Sequence, residues 1–526
     1  MSSSPPSPIA LLPTLKDRLP VPSPQPFVYS VVEIPRLAGL RLGVLQVDGF
    51  GTIDSSGGWG DVRRDSEDKI LEPSRETPVV ASADVLVVGG GPAGIGAAVA
   101  AARAGARVLL AERYGFLGGM ATAALVGPLM SYHTTPVRDS VETVAPRKVI
   151  GGLLDELVDR MVAVGGAVPP NAIWDYMVLI DAEAFKTVAL QLVLEADVGL
   201  MLHSQAVGVV RDGNRVRGVI FETKAGRQAV LADVVVDATG DGDVAAQAGA
   251  PFDIGRQSDC ACQPMSLIFK LGGVDFGRFR EYVRGHPGEF NLAQGLRRLV
   301  DEATRNGDLD LAREDVLFFP TPAPDEVVVN STRVNGCSAL DVWGLTAAEI
   351  EGRRQAEMLV GFFRGYVPGF ERARLLQTGC QIGVRETRRV RGEYVLTAKD
   401  VLEAARFTDV IARGCYPLDV HSPDGRGTEM RHLPPGSCYE IPYRCLVPLD
   451  VEGLLVAGRS ISGTHEAQSS YRVMPICMAT GQAAGVAAAY AAKAGVPPRA
   501  VDVEAVQAEL LRQGAILGET GARQGR

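Results

Sequence analysis

The chain lacks an excess of basic charge. Its formal net charge is −9 over 526 residues, and its sequence pI is about 5.4. That balance argues against a nucleic-acid or anionic-membrane surface as the partner. No N-terminal stretch combines a basic start, an apolar run and a small-residue cleavage site, so no signal peptide is expected. The longest uncharged run, Val85–Ala102, carries Gly89, Gly90, Gly91 and Pro92 in its first half, so membrane insertion is not expected either. Cysteines are few and scattered: Cys260, Cys262, Cys337, Cys380, Cys415, Cys438, Cys445 and Cys477. Cys260 and Cys262 form a C-x-C pair without a second close pair. Zinc spacing and the C-x2-C-x2-C run of iron–sulfur proteins are both missing, so no metal or cluster is expected. Reduced thiols in a cytoplasmic protein are the reading. No internal repeat of fixed period is found.

What is present is a dinucleotide-binding βαβ unit at Ala83–Glu112. Val85–Val88 is a short apolar run suited to a buried parallel strand. Gly89, Gly91 and Gly94 follow as G-x-G-x-x-G, with Pro92 and Ala93 inside the motif. The first glycine permits a tight turn, the second lets backbone approach a pyrophosphate, and the third lets helix and sheet pack closely. The helix that follows offers N–H groups and a positive dipole end to phosphate. Gly105 ends that helix as a C′ glycine, and Arg107–Ala111 forms the second strand. Glu112 then stands where a carboxylate takes the ribose hydroxyls of an adenosine. These residues alone leave NAD and FAD both open.

The fold class expected is α/β, with a Rossmann-like FAD/NAD(P)-binding domain built from discontinuous segments and an inserted α+β substrate domain. Residues 1–78 form an N-terminal extension, Ser/Pro-rich at Ser2–Pro8 and Pro20–Pro26, with strand-like alternation in Val28–Val47. Residues 79–254 and 434–497 form the FAD-binding domain, 255–433 the substrate or cap domain, and 498–526 a C-terminal tail. Asp181–Ala196 has helical spacing. Val207–Val210, Val216–Thr223 and Gln228–Leu231 suggest an antiparallel meander, and Val234–Asp237 a further buried strand. Leu454–Ala457 is another buried strand, and Pro475–Ala492 an Ala/Gly-rich helix.

Several motifs together resemble the FAD-dependent oxidoreductases of the glutathione-reductase-like flavoprotein superfamily. Within it the chain is similar to the group that resembles the heterodisulfide reductase A-subunit flavoprotein. The motifs are GGGPAG (Gly89–Gly94), ERYGFLGGMAT (Glu112–Thr122), DATGDGD (Asp237–Asp243), GVRETRR (Gly383–Arg389) and the long segment Gly453–Gly485. The resemblance spans about Pro73–Val496 and implies non-covalent FAD. It places Arg113, Gly118, Gly119, Met120 and Ala121 beside the cofactor. It puts Ala238, Thr239 and Gly240 beneath it, Val207 backbone at the adenine, and Gly458, Met474 and Gly481 at the flavin end. The final helix, starting near Met474, is expected to aim its dipole at the flavin and stabilise the reduced state. Arg459 stands where the resemblance implies an acidic ribityl-binding residue, so Asp241 or backbone is expected to supply that contact.

For chemistry, His465, Glu466 and Arg472 lie between the last strand and the last helix. An imidazole there suits proton exchange during oxidation, and an arginine suits a substrate carboxylate or a reduced-flavin anion. Structural pairing of Glu466 with Arg472 is the competing reading. Arg385 is the next candidate for the pocket, whereas Arg389 reads as part of a solvated charge run. His133, Tyr439, Tyr443 and Arg444 are weaker candidates. No second G-x-G-x-x-G follows a strand, so a separate NAD(P)H domain is not expected and the electron acceptor is left unnamed. The expected function is hydride transfer between a small organic substrate and flavin N5. The alternatives are an electron-transfer flavoprotein subunit serving a partner protein, or a non-catalytic flavin-binding sensor. Oligomeric state is not legible.

Overall fold

A computed structural model of the protein describes residues 72–130, 132–134, 146–425 and 427–518. The Ser/Pro-rich segments and Val28–Val47 of the expected extension lie outside the described residues.

A seven-stranded sheet organises the larger core. Its path runs Gly199–Met201, β2 (Val108–Ala111), β1 (Val79–Val88), Gly226–Asp237, Arg215–Thr223 and Gln205–Asp212. β1 pairs in parallel with β2 and with Gly226–Asp237. The expected Gln228–Leu231 and Val234–Asp237 are one continuous strand, because Ala232 stays in register with Ala83 and nothing breaks the ladder between them. That strand shares its other edge between two partners. Its first half pairs antiparallel with Arg215–Thr223, and its end pairs in parallel with Leu454–Val456. The discontinuous segments therefore meet on one strand, and three parallel strand ends converge at Val88, Ala111 and Asp237.

Helix α1 (Pro92–Arg103) follows the glycine turn, with Ala104 as its C-cap and Gly105 at φ +92°. It packs against the final core helix, Met474–Ala494, through small residues on both sides. A Cβ on Gly96 would lie 2.6 Å from the Met478 carbonyl oxygen. One on Gly481 would lie 2.0 Å from that of Ala93, and one on Gly485 2.1 Å from that of Ala97. The missing side chain of Gly481, a residue expected at the flavin end, admits helix α1. The segment expected as a tail is helical in part. Val503–Arg512 is a helix capped by the Asp502 carboxylate, with Val506 and Leu510 buried in the large core.

A second core lies around a six-stranded antiparallel sheet that includes Phe269–Gly272, Val316–Pro320 and Glu326–Val329. The helix Val342–Tyr366 covers it, and in its interior Phe363 and Phe370 stack while Phe318 meets both edge-on. This core ends at Val384, well before the expected boundary at 433. Val390, Val410, Ile411 and Leu418 belong to the larger core instead. The reason is pairing: Arg388–Val390 bonds to Phe252–Ile254, and Val410–Gly414 to Tyr439–Pro442. Among the described residues no single helix is long and apolar enough to cross a membrane.

Candidate active site

The glycine turn sits at the converging strand ends. Gly89 has φ +101°, and a side chain there would strike the Ala238 carbonyl oxygen at 2.4 Å. The Ala238–Gly240 segment thus lies directly on the turn, tied by the Ala238 N–H to the Val88 carbonyl. Gly94 packs on Gly89, as the motif requires. Gly91 is the N-cap of α1, and no side chain caps it. A Cβ on Gly91 would meet only Gly119 Cα, at 3.7 Å, so the helix N-terminus is open to a ligand. Gly118 (φ +114°) and Gly119 (φ +51°) turn the chain past it into a short 3-10 segment, Gly119–Ala121, which holds Met120.

Glu112 is buried at the end of β2. Its carboxylate accepts from the Gly90 N–H at 2.5 Å and from the Tyr114 N–H at 2.9 Å. Burial raises its pKa, and those two N–H groups oppose the rise. Each oxygen retains a second lone pair for a ribose hydroxyl. Arg113 is exposed and donates to the Gln381 side chain. Val207 lies on the sheet's outermost strand, at a register shift between Ala206 and Gly208.

Arg459 is drawn into a clamp. Its Nε donates to the Gly240 carbonyl at 2.8 Å, its Nη2 meets Asp241 at 2.5 Å, and its Nη1 donates to the Val384 carbonyl. Asp241 also accepts from Thr387 at 2.8 Å. The Arg459–Asp241 pair is the physical consequence of an arginine at this position. It fixes the Ala238–Gly240 segment against the chain that leads to Arg385.

The segment from Gly458 to Met474 joins the last parallel strand to the final core helix. Gly458 has φ +82° and donates its N–H to the Thr480 hydroxyl oxygen at 3.1 Å. His465 opens the short helix His465–Tyr471, which Thr464 caps. His465 Nδ1 lies 2.9 Å from the Glu386 carboxylate, and its Nε2 is buried without a partner. Glu386 is fully buried and also takes the Arg389 guanidinium and the Gln263 N–H. Arg389 is 5% exposed, so its reading as a solvated residue is corrected. Its remaining donors go to the Gly463 and Gly255 carbonyls. An ionised Glu386 fixes the proton on Nδ1 and leaves Nε2 as an open acceptor.

Arg472 and Arg385 come together, with residues that sequence reasoning missed. Arg472 Nη2 donates to the Asp419 carbonyl at 3.0 Å and lies 3.5 Å from its carboxylate. Its Nη1 is buried with no partner. Arg385 Nη1 donates to the Pro264 carbonyl and to Ser266 Oγ. Burial first, then Arg472, lowers the Arg385 pKa to about 9. Asp419 and His421 share one face of the strand Leu418–His421. The Asp419 carboxylate accepts from Tyr416 at 3.1 Å, and its pKa stays well below the usual range despite burial, because His421, Arg472 and Arg385 surround it. His421 Nδ1 accepts from Arg333 at 2.8 Å, so its proton sits on Nε2, 3.4 Å from Asp419. Burial, followed by Arg385, lowers the His421 pKa to about 3. Arg313 and Arg333 complete the cluster from the second core's side, each with its pKa lowered by burial.

Other candidates lie apart from this cluster. The Glu466 side chain makes no ion pair with Arg472, whose acidic partner is Asp419. Tyr439 and Tyr443 are buried, bonded to Ser470 and the Pro498 carbonyl, and Arg444 pairs with Asp409. His133 lies between Tyr132 and Tyr176 beside a separate cavity of about 300 Å³.

The chain fits a bound dinucleotide. The α1 N-terminus is uncapped and open, and the N-terminus of the final core helix at Val473–Met474 has no side-chain cap either. Ser460 Oγ, Ser462 Oγ, His465 Nε2 and Arg472 Nη1 are all buried without partners, and all belong to the segment between the last strand and that helix. Four such atoms in one segment are costly unless something else occupies them. Among the described residues no group of His, Cys, Asp and Glu is arranged to hold a metal.

The parallel sheet, glycine turn and uncapped helix define a dinucleotide-binding α/β protein of the Rossmann type. Residues 84–510 match the FAD-dependent oxidoreductase family, and the chain belongs to it. It is similar to a geranylgeranyl bacteriochlorophyll reductase-like protein of Thermoplasma acidophilum at 13% identity and a TM-score of 0.42, covering 83% of this chain and 84% of that one. It is similar to a myxobacterial chondrochloren halogenase at 14% identity and a TM-score of 0.39, covering 82% and 79%. A flavin-dependent brominase matches at 13% identity and a TM-score of 0.38, covering 82% and 84%.

Proposed function

We propose that this FAD-dependent oxidoreductase oxidises or reduces a small organic substrate by hydride transfer, in the cleft where His465 and Arg472 stand. The observation that carries this reading is the pair of unspent groups there: a bare His465 Nε2 backed by Glu386, and an unpartnered Arg472 Nη1. Non-covalent FAD, when bound, supplies the two-electron centre. Gly91 and the α1 N-terminus hold the pyrophosphate, Glu112 the ribose, and the N-terminus of the final helix favours negative charge on the ring. His465 Nε2 takes or returns the substrate proton, and Glu386 stabilises the imidazolium that forms. Arg472 anchors an anionic substrate group. The kinship with glutathione-reductase-like and heterodisulfide-reductase-like flavoproteins belongs to this reading too. So do a soluble cytoplasmic setting and a partner set limited to small molecules and an electron acceptor. Anaerobic titration of the purified flavoprotein with candidate organic reductants tests it. Bleaching by a small substrate, lost in His465→Ala, is expected. Reduction only by an electron-carrier protein would favour the electron-transfer alternative.

A further inference from the structure

Arg313, Arg333, Arg385 and Arg472 meet around two acids, Asp315 and Asp419, and one histidine. His421 is held neutral, since Arg333 donates to its Nδ1 and its Nε2 faces Asp419. Within this cluster two positive charges are left without a carboxylate. They are Arg333, which is 5% exposed, and Arg385, which is half-buried, since Arg313 lies against Asp315 and Arg472 against Asp419. Buried charge without a counter-charge is expensive, so an unbalanced pair calls for an anion from outside the chain.

The donors locate it. Arg333 is spent on the Gly425 and Gly427 carbonyls, His421 and Thr428. Arg313 donates to the Asn330 carbonyl and lies 3.6 Å from Asp315. Arg385 uses Nη1 alone, on Pro264 and Ser266. Arg472 keeps Nη1 buried and unpartnered. The unspent capacity therefore sits on two guanidinium groups from separate chain segments, Arg385 beyond the second core and Arg472 at the end of the His465 helix. The backbone on either side is tied. The Arg385 carbonyl accepts from Gln468 at 2.8 Å, and Gln468 Oε1 accepts from Gln263 at 3.3 Å. Asp419 keeps the two arginines from repelling each other outright without using up either fork.

We infer that this cluster is a two-point acid-recognition site, Arg472 and Arg385 each taking one carboxylate of a small organic dianion. The inference rests on the cleft being the substrate site, and it names the substrate class: a short dicarboxylate or its equivalent, with the bond to be oxidised near the His465 end. Guanidinium forks bind carboxylates in two parallel hydrogen bonds, which a lysine does not reproduce. Each lost charge-assisted contact lowers affinity about tenfold or more.

The test is calorimetric titration of the oxidised, FAD-loaded protein with malonate, acetate and sulfate. Malonate is expected to bind at least about tenfold tighter than either of the others. Arg385→Lys and Arg472→Lys are each expected to bring malonate down to the acetate level, with flavin content and melting temperature checked alongside. Equal binding of malonate and acetate would overturn the inference, as would sulfate matching malonate, or no anion binding at all. If malonate binds as expected yet no organic compound bleaches the flavin, the acid site stands and the hydride-transfer reading falls. If a neutral substrate bleaches the flavin and malonate does not bind, the inference falls and the oxidoreductase reading stands.

Discussion

His465 Nδ1 and the Glu386 carboxylate lie 2.9 Å apart across 79 residues of chain, both buried, and Arg389 bonds the same carboxylate. The arrangement assigns the imidazole one donor and one acceptor, and only the acceptor is unused. It is the part of the cleft that matches a proton-transfer task most closely.

His465→Ala is expected to slow reduction of the bound flavin by about 10²–10⁴-fold, the range for loss of a general acid or base. Flavin content should stay unchanged. Stopped-flow absorbance under anaerobic conditions reads it, and an unaltered reduction rate would remove His465 from the chemistry.

Glu386 acts through His465, so it is a positioning residue. Glu386→Gln should lower kcat with little change in KM. In the His465→Ala background the same change should have no further effect on rate, because neighbours acting as a unit are not additive. A full additional loss in the double variant would mean that Glu386 serves the fold instead.

Gly481→Ala places a methyl 2.0 Å from the Ala93 carbonyl oxygen. Overpacking of this kind costs about 1–3 kcal/mol or more, and thermal unfolding should show it. The control is Gly361→Ala, on the exposed side of Val342–Tyr366, where nothing lies within 4 Å. There a gain of about 0.4–1 kcal/mol is expected from the stiffer unfolded chain. Equal stability of the two variants would contradict the close approach of the helices.

Malonate affinity should be level from about pH 7, where the ligand is fully ionised, to pH 8, because the groups around the site keep constant charge there. Asp419 is held ionised, and His421, lowered to about 3, is already neutral. Arg385, lowered to about 9, loses its proton as pH rises through that value in the free protein, so affinity should fall above it. A bound dianion favours the charged form and moves the fall upward. A step in affinity above pH 7, where malonate is already a full dianion, would point to a histidine instead.

The dinucleotide half of the protein was legible because its signals are local. Gly89, Gly91, Gly94 and Glu112 fall within 24 residues, and Gly89 and Gly94 each answer a close contact the structure contains. Gly481 was assigned to the cofactor because small residues in a helix announce a close approach without naming what approaches. Asp419, His421, Arg313 and Arg333 went unnoticed as isolated polar residues in irregular stretches, joined only by tertiary packing. One signal was available: Leu418 and Val420 alternate with Asp419 and His421, which puts both polar groups on one face of a strand. Arg389 was misread because GVRETRR looks like a surface run. Its arginines in fact divide, Arg388 to Asp243 and Arg389 to the buried Glu386.

The central claim is that the glycine turn, Glu112 and the final helix hold one FAD molecule. The direct measurement is to denature the purified protein and identify the released chromophore by chromatography, for the wild type and for Glu112→Ala. The account predicts FAD from the wild type, and an affinity in Glu112→Ala weaker by about 1–3 kcal/mol through lost charge-assisted hydrogen bonds. Recovery of FMN alone, or undiminished FAD affinity in a folded Glu112→Ala variant, would contradict it.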